Sequence, residues 1–169
     1  FDKLDAAADY IIIMKQYVDA LISHPLLPIL HLYTTLVLAA QYRQDKSKNK
    51  LHLKTIKRNS TKMAKWDKNC PANFAHKSYL IKAEYNDCIG KHSIAADYYN
   101  KAISYKPSYA KAHYNLGGAL QELGKLDASV ISYKASIELD PDYAECHNNL
   151  GNVYRELGEL DYAVDSYQQ

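Results

Sequence analysis

A chain of 169 residues with 47% apolar content can build one ordinary core or a short array of stacked units. Its formal net charge of +2 argues against a chain-wide field for nucleic acid or an anionic membrane. Its three cysteines, Cys70, Cys88 and Cys146, stand at no metal or redox spacing, so they read as small hydrophobes in a reducing, cytoplasmic compartment.

From the N-terminus, Leu4, Ala7, Ala8, Ile11, Met14, Val18, Leu21 and Ile22 form one apolar stripe at helical spacing, ending near His24-Pro25. Pro28 suits the first turn of a second helix reaching about Arg43. The apolar stretch Pro25–Tyr42 is short for a bilayer span of about 20 residues, and its two prolines, His31 and paired threonines favour a buried helix. Gln44–Lys50 is a polar connection. Leu53, Ile56, Met63, Trp66 and Cys70 mark a third helix, interrupted at Asn69-Cys70-Pro71.

Beyond this block a 34-residue period takes over. Pro107–Ala135 laid over Pro141–Gln169 gives 15 identities in 29 positions, against about two expected by chance. Pro107 and Pro141 forbid helix continuation and set the start of a unit. Gly124 and Gly158 fall where a helix must end in a left-handed turn. Gly117 and Gly151 lie inside a helix, at a cost of about 1 kcal/mol against alanine, which calls for a closely approaching neighbour. Leu116, Leu120 and Leu123, then Leu126, Val130, Tyr133 and Ile137, recur at three and four residues and define two amphipathic helices around Gly124.

This helix–turn–helix unit resembles the tetratricopeptide repeat. The motif positions are His113, Leu116-Gly117, Leu120, Gly124, Ser129, Tyr133, Ser136 and Pro141 in one unit. In the next they are His147, Leu150-Gly151, Tyr154, Gly158, Ala163 and Tyr167, where the chain stops short of a full unit. A worn earlier unit fits His76–Tyr109 through Tyr79, Ala83, Gly90, Ala95, Tyr99, Ala102 and Pro107, with Lys82 where leucine is expected. The resemblance implies an all-α fold: antiparallel helix pairs stacked as a right-handed α-solenoid. The expected organisation is a three-helix block over 1–71 and a solenoid over 72–169, with units 76–109, 110–143 and a truncated 144–169.

The span Lys57–Glu84, with its Trp, Pro-x-Asn-Phe-x-His-Lys and downstream Ala-Glu, is similar to a second family. That family is the helical region following the ATPase domain of bacterial multi-sensor signal-transduction kinases. The likeness covers about residues 1–105 and implies a regulatory helical segment of a larger signalling protein. No kinase or ATPase motif lies within the sequence itself.

Chemistry finds little to stand on. No P-loop, G-x-S-x-G or G-x-G-x-x-G is present, and the seven histidines form no ligand pattern. His113 and His147 are one repeat position seen twice, so a structural role is expected. Arg43–Lys68 holds ten basic and two acidic residues, +8, leaving −6 for the rest. A solvated helix face is the simpler reading of that run, and nucleic-acid contact through residues 43–68 the lesser alternative.

What remains is the concave surface that the resemblance assigns to the first helix of each unit. It places Lys111, Tyr114, Asn115, Gln121 and Glu122 there in one unit. In the next it places Glu145, Asn148, Asn149, Asn152, Arg155 and Glu156. Asn115 and Asn149 recur at one position, either as an amide ladder for an extended peptide or as helix-to-helix packing. The carboxylate clamp of chaperone-binding relatives is not expected. Its positions read Leu80, Glu84, Asn115, Glu145 and Asn149, and the two glutamates would repel a carboxylate. The expected function is a non-catalytic scaffold binding a protein or peptide, with no cofactor, no metal and no membrane partner. The regulatory kinase segment is the alternative.

Overall fold

A computed structural model describes residues 27–44 and 50–169. The expected first helix over 4–22 and most of the polar connection lie outside these residues. Eight helices follow in order: α1 Leu27–Gln44, α2 Lys50–Asn69, α3 Pro71–Cys88, α4 His92–Tyr105, α5 Ala110–Glu122, α6 Leu126–Leu139, α7 Ala144–Leu157 and α8 Leu160–Tyr167. Among the described residues every regular element is helical. None of these helices is long and apolar enough to cross a membrane. The chain divides into two compact units, Phe1–Ile89 and Gly90–Gln169, and the break falls between the two helices of the unit expected over 76–109.

In the first unit α1, α2 and α3 pack on one another. Pro71 opens α3 in its first turn, where its missing N–H costs nothing, so Asn69-Cys70-Pro71 is a joint between helices as its sequence predicts. The core takes Leu32 and Ala39 from α1 and Ile56 and Met63 from α2. The α1 helix is buried on one face only, since Tyr33 and Ile29 stay exposed. A buried polar joint ties α1 to α2: the Asn59 amide donates to the His31 carbonyl at 3.3 Å and to the Thr35 hydroxyl at 3.1 Å. Trp66 stacks on His31 with ring centroids 5.4 Å apart. Arg43 reaches from α1 to α3 and bonds Glu84 at 2.9 Å and Asp87 at 2.7 Å. Sequence reasoning counts Arg43 with the basic run and Glu84 as an open negative charge. The structure corrects both, because each neutralises the other and the Glu84 side chain is only 1% exposed.

In the second unit α4 packs on α5, α5 on α6, α6 on α7 and α7 on α8. The repeat residues explain the pairs. Gly90, Gly124 and Gly158, spaced by the period, take φ of +76°, +69° and +82°. At Gly124 two turn bonds close the helix end: Gly124 N–H to the Gln121 carbonyl and Lys125 N–H to the Leu120 carbonyl. Gly158 and Glu159 repeat both bonds on Arg155 and Tyr154, so each turn is a Schellman stop. Serine at two alanine positions also has its reason. Ser129 donates to the Gly117 carbonyl at 2.8 Å and Ser136 to the Ala110 carbonyl at 3.0 Å, fastening α6 to α5.

The helical glycines sit against an aromatic ring of the paired helix. A Cβ on Gly117 would come 2.7 Å from the Tyr133 ring, and one on Gly151 would come 2.5 Å from the Tyr167 ring. Tyr133 is buried and cannot move away, whereas Tyr167 is exposed at 43% and can. Alanine gains about 1 kcal/mol of helix propensity at either site. Overpacking a held ring costs about 1–3 kcal/mol. Gly117→Ala is therefore expected to destabilise the unit, and Gly151→Ala to be neutral or mildly stabilising. Urea denaturation of both variants checks this, and equal losses would contradict it.

Candidate functional site

The helices α5 and α7 are the first helices of successive repeats, and they touch. Residues three and four apart share a helix face, so 111, 114, 118, 121 and 122 line one side of α5. Their counterparts 145, 148, 152, 155 and 156 line one side of α7. Three polar links run from the α5 stripe to α7 and its N-cap. The Lys111 ammonium donates to the Tyr143 hydroxyl at the start of α7. Midway, the Asn149 amide donates to the Tyr114 hydroxyl at 3.0 Å. Near the other end, the Gln121 amide donates to the Glu156 carboxylate.

Aromatic packing reinforces the first link. The Lys111 Nζ lies 4.5 Å from the Tyr114 ring centroid and 5.2 Å from that of Tyr143, and the two rings are 4.8 Å apart. An ammonium held by two ring faces gains about 0.5–2 kcal/mol per contact, depending on desolvation. Tyr133 closes the floor beneath. Its hydroxyl donates to Gln121 Oε1 at 3.4 Å. Burial pushes the phenol well above its ordinary pKa, so it stays protonated as a donor. In the last pair the Tyr167 hydroxyl donates instead to Asn152 at 2.9 Å.

Several predicted site residues thus serve the packing of the repeats. Asn115 is 6% exposed, and Asn149 spends an N–H on Tyr114. The repeated asparagine thus lies within the helix array at Asn115, and at Asn149 its partner is a tyrosine hydroxyl. His113 and His147 each place Nε2 at 2.9 Å from the carbonyl of the preceding proline, Pro107 and Pro141, which accepts the bond. Each histidine pins its helix to the turn before it. Burial pushes the Cys88 thiol up to about 12 and the Cys146 thiol up to about 11, which makes both poor nucleophiles. Among the described residues no cluster of histidine, cysteine or carboxylate could hold a metal ion.

What stays open is the outer edge of the two stripes. Glu122, Glu145, Asn148, Arg155 and Glu156 are exposed, and no described residue bonds the side chains of Asn148 or Arg155. Sequence reasoning singled out Asn115 and Asn149 for their recurrence. Asn148 received no such weight, because its counterpart in the preceding unit is Tyr114 and it carries no repeat signal.

Helix pairs of this period, with a left-handed glycine turn and a ring packed on a helical glycine, define a helical-repeat protein. The sequence model of the tetratricopeptide repeat matches residues 89–124 and 119–158, and this part of the chain consists of such repeats. No curated protein sequence matches the chain. Among solved structures, a crystal structure of MamA superimposes with a TM-score of 0.64 at 20% identity, over 99% of this chain and 90% of that one. A second MamA crystal structure gives 0.62 at 20% identity, over 99% and 84%. A mutant O-GlcNAc transferase from Thermobaculum terrenum gives 0.55 at 20% identity, over 76% of this chain and 23% of that one. At these identities the likeness is one of fold: stacked tetratricopeptide helix pairs.

Proposed function

We propose that the chain is a non-catalytic scaffold that holds a peptide or protein segment along the polar stripes of α5 and α7. The observation that carries this reading is the contrast within one surface. An inner row is already cross-linked by Lys111–Tyr143, Asn149–Tyr114 and Gln121–Glu156, and an outer row of Glu145, Asn148 and Arg155 is open to solvent. A surface whose supports are fixed before binding loses little conformational entropy on capture. The open amide of Asn148 can pair with both the N–H and the C=O of an extended chain. Arg155, two turns further along α7, offers a forked donor to a carboxylate or carbonyl, while Glu122 and Glu145 favour a partner with basic residues beside it.

Selection of binders from a displayed random-peptide library tests this directly. Peptides that bind the wild-type chain are expected to bind an Asn148→Ala/Arg155→Ala variant about tenfold or more weakly, with the melting temperature unchanged, because both side chains lack internal partners. Selected peptides that bind the variant equally well would place the binding surface elsewhere.

A further inference from the structure

The first unit carries a second surface of different chemistry. Lys54, Lys57, Arg58, Lys62, Lys65 and Lys68 of α2 are all exposed. At 100° per residue they fall within one arc of about 140°, and from Lys54 to Lys68 the row runs about 21 Å. Asp67 lies outside that arc. The opposite side of the helix is spent on the core, with Ile56, Met63 and Asn59 buried and Trp66 stacked on His31. Among the described residues no carboxylate pairs with any of the six cations, whereas Arg43 bonds Glu84 and Asp87.

We infer that this face of α2 binds the phosphate backbone of duplex nucleic acid without reading its sequence. Three occupants fit a cationic face, and the surroundings of this one separate them. A bilayer surface would take an amphipathic helix by its apolar side, but here that side is buried, and Leu51, exposed at 70%, stands at one end of the cationic arc instead. An acidic protein would need an apolar centre to hold the contact, because exposed ion pairs alone give about 0–1 kcal/mol each. A duplex needs neither. Each strand presents one charge per ~3.4 Å of axis, so a 21 Å row faces about six phosphates of one strand, and the gain comes from released counterions. Five of the six cations are lysines, which act as point charges and lack the fork that reads base edges. Trp66 is packed against His31 and offers no platform for an unstacked base, which favours duplex over single strand.

The test is fluorescence anisotropy of a mixed-sequence DNA duplex of about 20 bp, titrated with the whole chain across a salt series. Neutralising about six phosphates gives a slope of log affinity on log salt near −5, or about a thousandfold loss between roughly 50 and 200 mM salt. Lys54→Gln/Arg58→Gln/Lys62→Gln is expected to reduce that slope by about three with the circular dichroism unchanged, since these side chains are exposed. A charge-matched control in the second unit, Lys91→Gln/Lys125→Gln/Lys134→Gln, is expected to leave it unaltered. No binding at micromolar protein in low salt, a salt-independent affinity, or equal loss in the control would overturn the inference. So would binding confined to phosphatidylserine vesicles or to polyglutamate. None of these results bears on the peptide surface of α5 and α7.

Discussion

Tyr133→Ala is expected to cost the second unit about 3–5 kcal/mol, the range for removing a large buried ring. The ring is 1% exposed and sits in one core cluster with Cys146, Leu150, Val153, Tyr154 and Ala163. It also covers Gly117 and donates to Gln121, so its loss opens a cavity between α5, α6 and α7 and removes a bond under the polar stripe. Tyr133→Phe keeps the ring and gives up only the hydroxyl, which is expected to cost about 1 kcal/mol. The same truncation one repeat later, Tyr167→Ala, removes a ring that is 43% exposed and is expected to cost well under half as much as Tyr133→Ala. Urea titration of the three variants orders them. If Tyr167→Ala matched Tyr133→Ala, burial by the following helix would not be what makes this repeat position stabilising.

That ordering rests on burial, because Tyr133 and Tyr167 are the same residue at the same repeat position. Much else was legible. The 34-residue period predicted α5 to α8, the glycine turns with positive φ, and a close neighbour for Gly117 and Gly151. Local rules suffice there, since a left-handed turn admits little but glycine, and helical spacing assigns a face. The neighbour's identity needed the fold: a tyrosine ring, 16 residues on in each unit, occupies the space a side chain would take. The serines at alanine positions became intelligible only when their hydroxyls were seen on carbonyls of the paired helix. The candidate surface was half legible. The tetratricopeptide resemblance implied the stripes on α5 and α7, but the links Lys111–Tyr143, Asn149–Tyr114 and Gln121–Glu156 join side chains 32 to 35 residues apart. Helical spacing within one element says nothing about which group answers which across two. Recurrence therefore set Asn115 and Asn149 apart, one buried and the other bonded to Tyr114, and gave no added weight to Asn148, an expected stripe residue that is exposed.

The Arg43 pair shows the same limit and leads to the second large effect. In the sequence Arg43 begins a basic run, and nothing local marks it as different from the lysines that follow. Among the described residues of that run it alone has a carboxylate partner, donating to Glu84 at 2.9 Å and to Asp87 at 2.7 Å. Glu84 is buried and Asp87 nearly so, with side chains 1% and 13% exposed. Removing the guanidinium would leave a carboxylate in the interior without its cation, a change that costs about 3–5 kcal/mol for a buried pair. Because Arg43 itself is 38% exposed, solvent screens part of the interaction, and Arg43→Ala is expected near the lower end, about 3 kcal/mol. The diagnostic is the double variant. If the cost is the stranded charge, Arg43→Ala combined with Glu84→Gln should recover at least a third of the loss, because a neutral amide needs no counterion. If instead Arg43 acts through the packing of its aliphatic stem, the double variant should be no more stable than Arg43→Ala alone. Denaturation of the two single variants and the double variant, read as a thermodynamic cycle, separates these outcomes.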